Sequence, residues 1–284
     1  MLIPCKDIAL IIEEELKALV STKITLVAYL LGESPEQLSF VAIKRRLAQR
    51  LGIEFDFNHY PVIPPFSSFI QDLQIKMADS ESTGVIIQLP LPARYDKQKI
   101  FEEVPFIKDI EGHKERSPFQ FPLSLAVLTG IKYIFAYAKH NKELDNGILV
   151  HFEKDKQFFR EVLQDKNIVI VGRGATGGKP IAECFDKIGV TYSVIHSQTL
   201  DSNELIKKAD IIITATGKKI IEPSQLNKGV ILLNVGLRKE DGKLKGDYDE
   251  EEIEDIASYY TQTPGGLGPL DVLYLYKNLI EAAV

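Results

Sequence analysis

Three glycines, Gly172, Gly174 and Gly177, follow the apolar run Asn167-Ile168-Val169-Ile170-Val171 and precede a helix-like segment, Pro180 to Ile188. Their spacing fits G-x-G-x-x-G in the context a dinucleotide loop needs, a strand before and a helix after. Such a loop makes a tight turn, lets backbone approach a pyrophosphate, and turns amides at a helix N-terminus toward the anion. The alternative is a glycine-rich turn with no ligand. The next strand, Thr191 to His196, runs into Ser197-Gln198-Thr199. It carries no carboxylate where an NAD-preferring site would hold the ribose 2′-hydroxyl. Arg173 lies inside the glycine loop, and its planar cation suits a 2′-phosphate. NADP is therefore the expected cofactor, with a solvated loop charge as the other reading of Arg173.

Three further stretches could carry chemistry. Phe40, Val41 and Lys44 share one face of a helix by the i, i+3, i+4 rule. Lys44 reads either as a solvent-facing charge or as a lysine partly buried beside apolar groups, able to exchange protons near neutral pH. The apolar strand Thr83 to Ile87 ends in Gln88-Leu89-Pro90-Leu91-Pro92. Alternating prolines cannot continue a central strand, so the chain leaves the sheet there. In parallel α/β sheets ligands bind beyond the carboxyl ends of strands, which makes Gln88 a candidate. Lys108-Asp109-Ile110-Glu111-Gly112 is a charged turn that reads equally well as a solvated loop.

The elements that must position these residues follow from periodicity. A helix is expected over Ile8 to Leu19, a buried strand over Lys23 to Leu31, and a second helix from Pro35 to Leu51, stopped by Gly52. A short strand, Ile53 to Phe57, precedes a third helix from Ser67 to Met77. This alternation predicts an α/β layer with a parallel sheet. A length of 284 residues is comfortable for two domains, and 45% hydrophobic and 26% charged residues predict a proper core. The net charge of −6 argues against general nucleic-acid affinity. Cys5 and Cys184 lie far apart without metal-ligand spacing, so buried free thiols are expected and no metal site. With no apolar stretch long enough for a signal or membrane span, a cytoplasmic protein is expected.

Together the motifs resemble the bifunctional methylenetetrahydrofolate dehydrogenase/methenyltetrahydrofolate cyclohydrolase family. Leu31-Gly32-Glu33-Ser34-Pro35 with Phe40-Val41 and Lys44 is similar to LVGxxxxSxxYVxxK, and Gln88 to Pro92 matches QLPLP letter for letter. Lys108 to Gly112 is similar to KDVDG, Gly172-Arg173 with Gly178 and Pro180 to GRSxxVGxP, and His196 to Thr199 to HSxT. Asn234-Val235-Gly236 and Gly246-Asp247 resemble later landmarks, and Pro264 to Pro269 resembles PGGVGP. The resemblance runs in order along nearly the whole chain.

The resemblance implies two domains with a cleft between them. These are an α/β folate-binding catalytic domain, residues 1–140 with 268–284, and a Rossmann-like NADP-binding domain with a parallel sheet, residues 141–267. It implies Lys44 as the central catalytic group, Gln88 as its tuning partner and Glu111 as the pterin anchor. Phe40, Leu89, Pro264, Gly265 and Gly266 would border the folate; Gly172, Arg173, Gly174, Ser197, Thr216 and Gly236 would hold NADP. Asp109 is expected to be structural. Tetrahydrofolate derivatives are the implied partners, and a homodimer the implied assembly.

Departures from the family pattern fall at its site motifs. The tyrosine is Phe40, the second aspartate of KDVDG is Glu111, and the serine after Arg173 is Gly174. They mark a divergent member and keep three alternatives open: a dehydrogenase that has lost hydrolysis, an inactive binder of NADP and folate, and a nicotinamide oxidoreductase acting on another small molecule.

Overall fold

The computed structural model describes residues 1–284. In chain order, α1 (Cys5–Leu19) leads to β1 (Thr25–Leu31), α2 (Pro35–Leu51), β2 (Glu54–Tyr60), α3 (Phe66–Ala78), β3 (Gly84–Ile87) and a short α4 (Lys97–Glu102). Then come α5 (Pro122–Lys132), α6 (Phe152–Leu163), β4 (Ile168–Val171), α7 (Gly178–Ile188), β5 (Ser193–Ile195), α8 (Ser202–Lys208) and β6 (Ile211–Thr214). They are followed by β7 (Ile231–Asn234), a hairpin of β8 (Arg238–Glu240) and β9 (Lys243–Lys245), α9 (Glu250–Ile253), β10 (Tyr259–Tyr260) and α10 (Leu267–Ala282).

The chain divides into two compact units, one of Met1–Ile12 with Leu123–Asp271, the other of Glu13–Pro122 with Val272–Val284. This division differs from the limits drawn from the resemblance, because residues 1–12, 123–140 and 268–271 group with the dinucleotide strands. Gly130 of α5 is packed so closely by Leu233 of β7 that an added Cβ would lie 3.3 Å from its Cδ2. The helix that begins with α5 is also not α-helical throughout. After Lys132 it widens to a π turn over Tyr133–Tyr137 and tightens to a 3-10 turn, Ala138–His140, before Asn141 leaves in the left-handed region.

In the unit built around Glu13–Pro122, three parallel strands run in the order β2-β1-β3. All seven residues of the central strand β1 are buried, as a parallel strand covered on both faces requires. Its odd positions, Val27, Tyr29 and Leu31, pack with Phe69, Leu73 and Met77 of α3. Tyr29 meets the Phe69 ring edge-on at 5.4 Å, and its hydroxyl donates to Asp72 at 2.8 Å, so the buried polar tip is satisfied. The second helix has the bounds predicted from sequence. Ser34 Oγ accepts from Gln37 N at its start, Pro35 occupies the first turn, and Gly52 closes it at φ +73°.

In the other unit five parallel strands run in the order β10-β7-β6-β4-β5. β4, β6 and β7 are buried throughout, and their sequences IVIV, IIIT and ILLN are nearly continuous apolar runs. The chain goes from β4 outward to β5, then returns past β4 to β6. That reversal is the topological switch point at which doubly wound sheets bind ligands. The residues directly beyond the strands are Gly172 after β4, His196 after β5, Ala215 after β6 and Val235 after β7.

Candidate functional site

Lys44, Gln88 and Glu111 are far apart in sequence, and the fold of their unit brings them together. Lys44 lies in α2, with its backbone carbonyl fixed by a 2.7 Å hydrogen bond from the Tyr276 hydroxyl of α10. Gln88 follows β3, and its own N–H continues the sheet by donating to Tyr29 O. Glu111 sits in the turn after a 3-10 helix over Phe106–Lys108. Lys44 Nζ donates to Gln88 Oε1 at 3.2 Å and faces Glu111 Oε1 at 3.6 Å. Gln88 Nε2 donates to Leu89 O at 3.0 Å, which fixes which end of the amide meets the lysine. The largely buried Lys44 amine thus meets an amide oxygen and a carboxylate. One turn earlier on α2, Phe40 is exposed while Val41 is buried.

Burial alone would raise the Glu111 carboxyl. The Lys44 ammonium and His113, by charge and by hydrogen bonding, outweigh it and lower the group from 4.5 to about 2. His113 Nε2 lies 3.4 Å from Glu111 Oε2, and the imidazole is 8% exposed. Sequence reasoning did not select His113; its place directly after the Lys108–Gly112 motif was the available signal.

Asp109 supports this turn rather than opening onto it. Its carboxylate is buried and accepts from the backbone N–H groups of His113 at 3.1 Å and Lys114 at 2.8 Å. Burial pushes its pKa up, against those two amides, which hold it down. Lys108 is likewise tied inward, donating to Met77 O, Asp79 O and Ser82 Oγ.

The dinucleotide candidates belong to the other unit and lie at the carboxyl ends of its strands. Gly172 adopts φ +111°, and an added Cβ would come within 2.6 Å of Ala215 O, so both conformation and space demand glycine. The second steric demand falls on Gly178, where a Cβ would stand 1.9 Å from Gly172 O. α7 begins at that residue and rests its first turn directly on the end of β4. The glycine needed for helix–strand packing is therefore one position beyond Gly177. Gly174 meets nothing within 4 Å, leaving its backbone open to approach. Within the loop, Gly174 O takes up the amides of Gly177 and Lys179.

Arg173 is exposed, and no protein carboxylate pairs with it. Beside it in the sheet, where Val171 pairs with Ile195, the turn after β5 is built by its own bonds. His196 N donates to Thr199 Oγ1 at 3.0 Å and Gln198 N to His196 Nδ1 at 3.3 Å, leaving the exposed Ser197 hydroxyl out of the turn. An open cation and an open hydroxyl at the ends of neighbouring strands fit an anionic group, and the glycine loop fits a pyrophosphate.

Thr216 and Gly236 are organised by Asp247, which sequence reasoning noted only as a landmark. The fully buried Asp247 carboxylate accepts from Thr216 N at 2.7 Å, Thr216 Oγ1 at 2.9 Å, Gly217 N at 2.9 Å and Lys218 N at 3.2 Å. Asp247 N donates to Asn234 Oδ1, and Asn234 Nδ2 donates to Gly236 O and Thr263 Oγ1. This network fixes the loops after β6 and β7 and the segment entering Pro264-Gly265-Gly266. The Thr216 hydroxyl is already engaged, so what its loop offers a ligand is mainly backbone.

No three His, Cys, Asp or Glu side chains are grouped to hold a metal ion, and no helix is long and apolar enough to cross a membrane. Cys5 and Cys184 are buried free thiols.

Parallel strands with a glycine turn at the switch point define a dinucleotide-binding α/β protein, here joined to a second α/β unit bearing a lysine–glutamine–glutamate cluster. Residues 155–284 match the tetrahydrofolate dehydrogenase/cyclohydrolase NAD(P)-binding domain, and residues 3–111 match the catalytic domain of the same family. The bifunctional protein FolD of Exiguobacterium sibiricum is 31% identical over 265 residues, 93% of this chain and 89% of that protein. The FolD protein of Thermus thermophilus is 30% identical over 256 residues, 89% of this chain and 84% of that protein. The crystal structure of the bifunctional FolD methylenetetrahydrofolate dehydrogenase/cyclohydrolase from Campylobacter jejuni superposes with a TM-score of 0.85 at 26% identity, covering 100% of this chain and 98% of that one. The chain belongs to the tetrahydrofolate dehydrogenase/cyclohydrolase family.

Proposed function

We infer that this chain oxidises 5,10-methylenetetrahydrofolate to 5,10-methenyltetrahydrofolate with NADP, and hydrolyses the product to 10-formyltetrahydrofolate. The observation that carries the reading is the junction at Lys44 Nζ, 3.2 Å from the Gln88 amide oxygen and 3.6 Å from the Glu111 carboxylate, in a chain of this family. Bound NADP supplies the hydride acceptor for the oxidation.

In the hydrolysis, water adds to the methenyl carbon, the bond from that carbon to N5 breaks, and one proton is released overall. Lys44 Nζ moves the proton between water, nitrogen and solvent. Gln88 aims that amine, because its own amide is fixed through Leu89 O. Glu111 anchors the pterin by accepting from its ring N–H groups. Phe40 and Leu89 border the folate. Gly172 and Gly174 line the pyrophosphate, Arg173 and Ser197 take the 2′-phosphate, and the Thr216 and Gly236 loops hold the nicotinamide end. The protein works as a homodimer in the cytoplasm.

The test is a paired spectrophotometric assay. Methylenetetrahydrofolate is offered with NADP or NAD to follow nicotinamide reduction, and methenyltetrahydrofolate is offered alone to follow its hydrolysis. Reduction with NADP together with hydrolysis above the uncatalysed rate is expected. Reduction without hydrolysis would favour a dehydrogenase whose proton shuttle is lost, a reading motivated by Phe40, which has no hydroxyl to offer Lys44 or the folate. Silence in both, with NADP still bound, would leave a binding protein.

A further inference from the structure

We propose that His113 is a positioning residue that fixes the Glu111 carboxylate opposite Lys44: its Nε2 lies 3.4 Å from Glu111 Oε2 while Lys44 Nζ lies 3.6 Å from Glu111 Oε1. The proposal rests on the roles given to Lys44 and Glu111 above. The two cationic or N–H-bearing groups address different oxygens, so the carboxylate is held at both ends.

The imidazole is itself immobilised. Its ring lies edge-on to Phe101 at 4.4 Å and to Phe121 at 5.6 Å, and its backbone N–H donates to Asp109 Oδ1 at 3.1 Å. A side chain that is 8% exposed between two phenyl rings loses water on most sides, and Glu111 is its polar side-chain partner. Buried polar groups are stable only when paired. A glutamate also has one more rotatable bond than an aspartate, so its carboxylate needs a second restraint to stand in a fixed place.

The arrangement has a chemical consequence. A carboxylate beside a proton-shuttling amine competes for the proton being moved. A donor on the far oxygen favours the ionised carboxylate, so the proton goes to water or substrate and Glu111 stays an acceptor for the pterin. For this, Nε2 must carry hydrogen. The titratable groups facing His113 are Glu111 and Asp109, with Lys44 beyond Glu111. The amine of the adjacent Lys114 is turned away, toward Glu102 O and Val104 O.

The experiment compares His113→Phe, which keeps ring packing and removes the donor, with His113→Gln, whose amide N–H reaches about as far as Nε2. His113→Phe is expected to lower kcat for methenyltetrahydrofolate hydrolysis about tenfold, the loss of one polar contact to an ionised carboxylate. It should also move the acid limb of the kcat profile to higher pH, since Glu111 loses a group that stabilises its anion. His113→Gln should restore most of both. An unchanged kcat and acid limb in folded His113→Phe, or a glutamine variant as impaired as the phenylalanine one, overturns the proposal. A second measurement needs no variant: nitrogen-15 shifts of His113 in the wild-type protein should show hydrogen on Nε2 near neutral pH, and an Nδ1-only tautomer overturns the proposal. A wild-type chain without hydrolytic activity would instead sink the proposed function, and the tautomer measurement would still decide the His113 contact.

Discussion

Lys44 donates a 3.2 Å hydrogen bond to Gln88 Oε1, joining α2 to the residue that follows β3. The amide reaches the lysine from the carboxyl edge of a three-stranded parallel sheet, the edge at which such sheets bind ligands. The fold thus fixes one partner on a helix and the other on a strand end, and the contact is only as good as both.

Removing the amine tests this junction directly. Lys44→Met keeps the length and loses the proton carrier, so hydrolysis of methenyltetrahydrofolate should fall by at least about a hundredfold. NADP affinity, assigned to residues of the other unit, should stay within about a factor of two. Gln88→Leu, which leaves the amine without its amide acceptor, should reduce the same rate by roughly ten- to a hundredfold. Stopped-flow hydrolysis assays and NADP titrations read both, and full turnover in Lys44→Met would remove the lysine from the mechanism.

Glu111 links the site to acid stability. Its carboxyl is held at about 2 against an ordinary 4.5, so the folded state prefers the ionised form. That contribution is fully present above about pH 4.5, and it fades as pH falls toward the folded value near 2. The span corresponds to a difference on the order of 3 kcal/mol. Denaturant unfolding of wild type and Glu111→Gln at pH 6 and at the lowest pH where both fold should show wild type losing more. All other carboxylates are common to the two proteins, so equal losses would mean the Lys44 and His113 contacts do not hold the ion in solution.

The same residues show where sequence reading reaches and where it stops. The second helix could be read to its ends because Ser34, Pro35 and Gly52 are local signals, a cap, a first-turn proline and a left-handed stop. β4, β6 and β7 announce themselves as apolar runs because both faces of a parallel strand are covered. The pairing of Lys44 with Gln88 was available only through a motif, since no local rule brings together positions 44 and 88. His113 was missed for a related reason. Its partners Phe101, Phe121 and Glu111 meet only when the turn around Asp109 closes, and tertiary closure leaves no period in sequence. The carboxylate beside the Lys44 amine was hidden for the same cause.

In the function proposed above, the choice of cofactor depends on two open side chains. Arg173 and Ser197 follow neighbouring strands and are not used by the protein's own loops. A guanidinium matched to a phosphate is worth roughly 1.5–3 kcal/mol, so Arg173→Ala should weaken NADP by about ten- to a hundredfold. NAD, which lacks the 2′-phosphate, should bind the variant about as it binds the wild type. Ser197→Ala should act in the same direction with a smaller effect. Calorimetric titration with both dinucleotides separates these outcomes, and an equal loss for NAD and NADP would place Arg173 at another part of the cofactor.

The glycine loop supplies a prediction in which two similar changes part. At Gly178 an alanine methyl would lie 1.9 Å from Gly172 O and 2.7 Å from Gly172 C, and backbone atoms cannot swing aside as a side-chain tip can. The first turn of α7 would have to lift from β4, so Gly178→Ala should cost roughly 2–4 kcal/mol and abolish dinucleotide binding. At Gly174 the space is open to 4 Å and φ lies outside the left-handed region. Gly174→Ser, which restores the residue of the family motif, should therefore change stability by less than about 0.5 kcal/mol and keep NADP bound. Thermal unfolding with and without NADP measures both variants, because a ligand that binds only the folded state raises its midpoint. A stable, NADP-responsive Gly178→Ala would mean that α7 does not rest on the end of β4. Position 178 would then owe its glycine to ligand approach alone.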